Sequence, residues 1–151
     1  MILQPDDVVI RPVRRGDLAA IVAIDEQSTG ENRESYLERK LEEALDEKWR
    51  TIASNVIEYK GEVAGFLMVE VVSGEFGLPE DRATLNTIGI APEHRGKGLA
   101  TELFDRTLDQ LKKLGITRLQ TLVDWKDQEL IHFFATKGFE PGKMVFLELR
   151  T

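Results

Sequence analysis

The sequence predicts an α/β fold, a mixed sheet carrying helices on both faces, and three observations carry that reading. Short runs rich in Val, Ile and Phe alternate with amphipathic helical stretches in the order β-α-α-β-β-β-α-β-α-β. Two of the runs join at Lys60-Gly61, a dipeptide suited to a tight hairpin, which imposes antiparallel pairing. The strand–helix–strand unit over 83–123 demands a right-handed parallel crossover, so the sheet is mixed. With 151 residues and no linker, repeat or low-complexity stretch, the chain reads as a single domain over 1–151.

The elements follow in order. "VVIRPV" (8–13) is the first strand. Asp17 is placed to cap the helix "LAAIVAIDEQ", where Leu18, Ile21 and Val22 share a face, and Gly30 stops it. A second helix over 33–47 gathers Leu37, Leu41, Ala44 and Leu45 on one side. "TIASNVIEYKGEVAGFLMVEVV" (51–72) supplies the hairpin and "GEFGLPED" a loop; "ATLNTIGI" (83–90) is the fourth strand. A helix over roughly 97–114 aligns Leu99, Leu103, Leu108, Leu111 and Leu114, and Gly115 ends it. "TRLQTLV" (117–123) is the fifth strand. Asp127 caps a last helix that runs to Lys137, before Gly138, and "KMVFLELR" (143–150) closes the chain as a strand.

Composition narrows the function. The net charge of −7 disfavours nucleic-acid and acidic-membrane partners, both of which draw on a basic surface. The absence of cysteine removes disulfides, thiolate nucleophiles and Cys-ligated metals. His94 and His132 lack metal-ligand spacing, so no metal site is expected. "MILQPDDVVI" has no signal-peptide pattern, and no run approaches the ~18 apolar residues of a membrane span. The default expectation is a soluble cytoplasmic protein.

Against that acidic background, "IGIAPEHRGKGLATELF" (88–104) places a small basic turn at the mouth of a helix. The first N–H groups of a helix lack internal partners, and the dipole adds about half a positive charge there. Gly96 and Gly98 open the backbone to close approach, and Arg95 and Lys97 add charge: an anion site, suited to phosphate. A Walker loop is excluded, since Ala91 stands at its first glycine and Gly98 at its Ser/Thr. "GKGLAT" is a partial dinucleotide fingerprint, with Asp124 after the next strand as the acid, but five residues separate it from its strand. An incidental glycine-rich cap is the plain alternative.

Arg95-x-x-Gly98-x-Ala100, preceded by "IGIAPEH", resembles the acetyl-CoA pyrophosphate loop of the GCN5-related N-acetyltransferases (GNAT). The opening "VVIRPVRRGDLAAIVAID", the hairpin "YKGEVAGFLMVEV" and "FFATKGFE" are similar to further parts of that family, so the resemblance covers nearly the whole chain. It implies a sheet splayed between strands 83–90 and 117–123. The pyrophosphate would lie on the backbone of Arg95, Gly96, Lys97, Gly98, Leu99, Ala100 and Thr101, and the pantetheine arm along Ile88, Gly89 and Ile90. Counting back from Gly138-Phe139, Asp127 stands at the family's asparagine, Leu130 at its alanine and Phe134 at its tyrosine, the usual general acid. Phe134 is then core or an apolar wall near the cofactor sulfur.

Loss of that acid is survivable. A lysine-like amine is neutral only about once in 2,500 molecules at pH 7, a cost of roughly 4.6 kcal/mol, whereas a departing thiolate lies only ~2 kcal/mol from neutral pH. A base for the amine matters more. Glu70, on the hairpin's second strand, and Asp124, after the fifth strand, are the candidates; a partly exposed strand carboxylate and a helix-entry turn are their plain alternatives. Asn86 would orient a water or the acceptor. By the resemblance, "STGENRESY" (28–36) is the acceptor wall, where Glu31, Glu34 and Tyr36 would attract a cationic amine; a solvated helix start is the alternative. His132 reads as surface. The implied activity is acetyl transfer from acetyl-CoA to a primary amine by direct attack in a ternary complex, since no cysteine exists for an acyl-enzyme. The competing reading is a non-catalytic acyl-CoA-binding or regulatory module. The partners implied are acetyl-CoA and an amine acceptor, with no nucleic acid and no membrane; a homodimer is common in the family.

Overall fold

A computed structural model describes residues 5–46, 54–73, 75–78 and 80–151. Expectations touching residues 1–4, 47, 51–53, 74 and 79 fall outside the described residues. Two compact units result, Met1–Thr121 and Leu122–Thr151.

The first unit contains β1 (Val8–Pro12), α1 (Leu18–Thr29), α2 (Glu34–Leu45), β2 (Asn55–Tyr59), β3 (Glu62–Val72), β4 (Arg82–Ile90), α3 (Leu99–Lys113) and β5 (Leu119–Thr121). The sheet runs β1-β2-β3-β4-β5. Its first three pairings are antiparallel and β4–β5 is parallel, the mixed sheet that the hairpin and the crossover predict. Lys60 and Gly61 both have positive φ, 50° and 85°, the conformation of a two-residue hairpin turn that matches the strand twist.

Alternation in the central strands divides the core. Val56, Phe66 and Met68 pack with Ile21, Ile24, Leu37 and Leu41 of α1 and α2. The intervening position Asn55 turns to α3, where its amide donates to Thr107 Oγ1 at 3.3 Å and to Gln110 Oε1 at 2.8 Å. α3 buries Leu99, Leu103, Phe104 and Leu111. Leu114, expected on that apolar stripe, is 45% exposed because the helix has already ended at Lys113.

The Asp17 expectation needs a correction. It sits at the N-cap position of α1, but its side chain makes no capping bond to the helix. Its buried carboxylate instead accepts two hydrogen bonds from Arg11, both at 2.8 Å, and one from the Arg14 backbone N–H at 2.7 Å. Arg11 also donates to Glu58 of β2 at 2.6 Å. A charge-assisted fork outcompetes a single neutral cap. Burial pushes the Asp17 carboxyl up, but the Arg11 and Arg14 bonds more than reverse this and hold it below its usual range.

The second unit contains α4 (Gln128–Thr136). Asp127 caps it as expected, accepting from the Leu130 N–H at 3.1 Å, and Gly138 follows at φ 93°. Phe134 is buried and packs against Phe133 and Phe139. The expected strand over 143–150 is not formed. Its alternating apolar pattern is a strand's, but a strand exists only through a ladder, and none is assigned over these residues. Met144, Val145, Phe146, Leu147 and Leu149 are 55–85% exposed.

Candidate functional site

The site begins where β4 loses its neighbours. Met68 of β3 pairs with Thr87 and Val69 with Leu85, so Asn86 is the extra residue of a β-bulge. On the other edge, β5 follows β4 only over Ala83–Leu85, and the Thr121 hydroxyl closes that ladder by donating to the Leu85 carbonyl at 2.9 Å. From Asn86 to Ile90, β4 therefore has β3 on one side and no strand on the other among the described residues. Gly89 is required beneath this open edge: a Cβ there would meet the Phe66 ring at 2.8 Å.

The chain then turns through Pro92–His94, a 3-10 turn, into the loop before α3. Gly96 and Gly98 hold φ 78° and 79°, a left-handed backbone that side chains with a Cβ adopt only under strain. Gly98 is the N-cap of α3, and the first helical bond runs from the Glu102 N–H to its carbonyl at 3.1 Å. The N–H groups of Gly96, Lys97, Gly98, Leu99, Ala100 and Thr101 donate to no backbone carbonyl among the described residues. This is a compact set of donors on an open, left-handed backbone, at the positive end of a 15-residue helix.

Both cations of the loop turn back onto the protein. Arg95 donates to Ser28 Oγ at 3.2 Å and approaches the Ile90 carbonyl at 3.5 Å. Lys97 lies 4.4 Å over the Tyr59 ring and 3.1 Å from His94 Nδ1. They brace the loop while the backbone remains free for a ligand. Ser28, Tyr59 and His94 are the residues that sequence reading missed here. Ser28 and Tyr59 reach the loop through chain pairing far apart in sequence, which leaves no local signal, whereas His94 stands only three residues before Lys97.

Glu70 of β3 faces Thr84 across the ladder, just beyond the bulge. It is not free: Lys40 of α2 donates to it at 3.2 Å and to Glu43 at 3.3 Å. Burial pulls the Lys40 ammonium down, but these hydrogen bonds more than offset it and keep it firmly charged. On the expected acceptor wall, Glu31 and Glu34 are exposed, with Glu34 at the start of α2. Tyr36 sits within 5.1–6.0 Å of Arg33, Arg39 and Lys40. Arg33 forks onto buried Asp25 at 2.6 and 2.8 Å, and that hydrogen bonding raises its pKa further. The wall thus carries cations beside the acids that the sequence emphasises.

The other predicted residues lie in the second unit. Asp124 accepts from the Lys126 N–H at 2.8 Å in a turn, Asp127 is occupied as the α4 cap, and Phe134 is buried. His132 is exposed, as expected. No cluster of three metal-ligating side chains exists among the described residues, and no described helix is long and apolar enough to cross a membrane.

Comparison with known proteins points one way. A relative named spermidine N(1)-acetyltransferase from Escherichia coli is 30% identical over 141 residues, covering 87% of this chain and 72% of that protein. An aminoglycoside N-acetyltransferase in complex with CoA matches with a TM-score of 0.77 at 16% identity, over 98% of this chain and 99% of that one. A ribosomal-protein alanine N-acetyltransferase from Escherichia coli matches with a TM-score of 0.74 at 21% identity, over 90% and 79%. The model of the Acetyltransferase (GNAT) family matches residues 18–139, and with the bulged β4, the open edge and the glycine loop inside that span, the chain belongs to the GNAT acetyltransferase family.

Proposed function

We propose that this protein is an acetyl-CoA-dependent N-acetyltransferase that moves an acetyl group to a primary amine by direct attack in a ternary complex. The observation that carries the reading is the joined pair of backbone surfaces, the free edge of β4 from Asn86 to Ile90 and the unpaired N–H groups from Gly96 to Thr101. An extended amide-bearing arm fits the first and a pyrophosphate the second. Acetyl-CoA carries both and supplies the activated thioester.

In this reading the protein's own groups bind, orient and move protons. The loop N–H groups hold the pyrophosphate by charge-assisted hydrogen bonds. Asn86, at the bulge, orients a water or the acceptor amine. The incoming amine must lose a proton, and Glu70 is the carboxylate beside β4 that can take it, directly or through water. Its partner Lys40 fixes its position. Glu31, Glu34 and Tyr36 form the acceptor wall. The sulfur leaves as a thiolate or takes a proton from solvent, since Phe134 has no proton to give.

Isothermal titration with acetyl-CoA, followed by a thiol-release assay over polyamines, aminoglycosides, amino acids and peptide N-termini, tests this directly. Binding and turnover with at least one amine are expected. No binding at millimolar acetyl-CoA would sink the reading. The buried Phe134 at the family's tyrosine position favours one rival, a non-catalytic acyl-CoA-binding module. Binding without turnover on any amine would favour that rival.

A further inference from the structure

Ser54 is 2% exposed, and its hydroxyl is bonded in both directions to a single residue of β3. It accepts from the Val69 N–H at 3.0 Å and donates to the Val69 carbonyl at 3.1 Å. The β2–β3 ladder stops at the Asn55–Leu67 pair, so Val69 lies two residues beyond it. The Ser54 side chain does there what a ladder residue does elsewhere: it satisfies both backbone groups that Val69 turns toward β2. The serine is itself held. Its carbonyl accepts from the Val13 N–H at 3.1 Å, and the next side chain, Asn55, is bonded to α3. On its other side Val69 pairs with Leu85, directly beside the bulge that Asn86 makes in β4, where ladder bonding is locally disrupted. Val69 also immediately precedes Glu70, whose carboxylate Lys40 holds from α2.

We propose that Ser54 is a positioning residue for the proton acceptor: by clamping the Val69 backbone opposite the bulge, it fixes where Glu70 leaves β3. The inference rests on the reading of Glu70 as the base that takes the amine's proton. Such a group works only when held within about 0.5 Å of its productive place. Lys40 holds the far end of the Glu70 side chain, but an ammonium on a flexible stem does not fix the backbone from which that side chain springs. Ladder bonds on both sides of a strand normally do. At Val69 the bulge disrupts them toward β4, and toward β2 the ladder has ended among the described residues. The Ser54 hydroxyl supplies the missing constraint. Phe66, Met68 and Glu70 alternate onto the face toward α1 and α2, so a shift of β3 at Val69 carries the Glu70 carboxylate with it. Ser54 thus reaches the chemistry without touching acceptor, cofactor or reacting atoms.

The test is kcat counted per acetyl-CoA site, with sites titrated in the same sample so that unfolded chains drop out, using the amine of the acceptor panel that turns over fastest. Ser54→Ala is expected to lower kcat about tenfold, a fraction of the roughly hundredfold that a 1 Å misplacement can cost. Acetyl-CoA affinity is expected to be unchanged, because the loop from Gly96 to Thr101 is untouched. Ser54→Cys keeps a weak donor and acceptor in nearly the same space, so its kcat is expected to fall between the two, and it carries the test if the alanine variant does not fold. Each substitution is then combined with Glu70→Gln. A serine that acts through Glu70 has nothing left to position there, so each double variant is expected within about twofold of Glu70→Gln alone, the usual error of additivity. A Ser54 variant with wild-type kcat per site, while Glu70→Gln is impaired, would overturn the role of Ser54 and leave the base in place. The same loss appearing again in the Glu70→Gln background would also overturn it, by showing a serine that serves the fold alone. An unaltered Glu70→Gln kcat would remove the base and this inference with it, and turnover with no amine of the panel would remove the enzymatic reading as well.

Discussion

The loop from Gly96 to Thr101 and the Glu70–Lys40 pair contribute to the proposed site by opposite means. The loop works through its backbone: two left-handed glycines and a helix start leave N–H groups free, while its charged side chains, Arg95 and Lys97, are anchored elsewhere. Glu70 works through its side chain, and what that carboxylate can do depends on an ion pair with a helix thirty residues away in sequence. Local pattern encodes the first kind of site. Only tertiary placement decides the second.

The sharpest way to break this contrast is to make the loop depend on a side chain. Gly98→Val forces a β-branched residue into φ 79°, where the αL conformation costs roughly 1–2 kcal/mol even before the branch is counted. It also sets a Cβ beside the N–H donors. Titration is expected to detect no acetyl-CoA binding at millimolar concentration, while circular dichroism still reports a folded chain. Arg95→Ala, which removes only a brace, is expected to weaken binding by less than about tenfold, since an exposed side-chain hydrogen bond contributes about 1 kcal/mol.

The complementary test alters the side-chain half alone. Glu70→Gln keeps the shape and removes the base. Acetyl-CoA affinity is expected to be unchanged while kcat falls about 100-fold, the low end for loss of a general base. An unaltered kcat would move the proton acceptor away from Glu70, to Asp124 or to water.

The same division explains how much of the molecule was legible. The hairpin at Lys60-Gly61, the mixed sheet and the glycine loop were readable because each is a local pattern with one geometric solution. Asp17 shows the limit: a cap position is visible in sequence, but a guanidinium from β1 claims the carboxylate first. The 143–150 run shows another, because alternation specifies a strand's faces and says nothing about which edge it joins. The proposed acceptor wall reads as acidic in sequence although Arg33 stands within it, and what the sequence hides is the tertiary pairing, Arg33 onto Asp25 and Lys40 onto Glu70.

Asp17 provides a stability test that leaves the proposed chemistry untouched. Asp17→Ala leaves Arg11 with Glu58 as its one carboxylate partner and the Pro12 carbonyl beside it, and breaking a largely buried pair from one side costs about 3 kcal/mol. Urea midpoints at neutral pH read that loss. Because the folded-state pKa lies below the ordinary value of 3.8, the carboxylate's contribution is complete above that value and is lost as pH falls through the lower, folded one. The difference between wild type and variant should therefore narrow in strong acid and hold steady from mildly acidic to neutral pH.

The smallest catalytic effect is expected at Phe134, the position that the sequence resemblance sets at the family's tyrosine. Phe134→Tyr restores the missing phenol, but at a position 3% exposed and held between Phe133 and Phe139. A hydroxyl placed there without a partner costs about 1–3 kcal/mol of stability. The rate has little to gain, since the proton it would give addresses only the ~2 kcal/mol that separates a thiolate from neutral pH. A kcat increase below about tenfold, with a lowered melting temperature, is expected. A much larger gain would mean that leaving-group protonation limits the reaction and that the amine's proton is lost cheaply. That would relocate the demanding side-chain chemistry from β3 to α4.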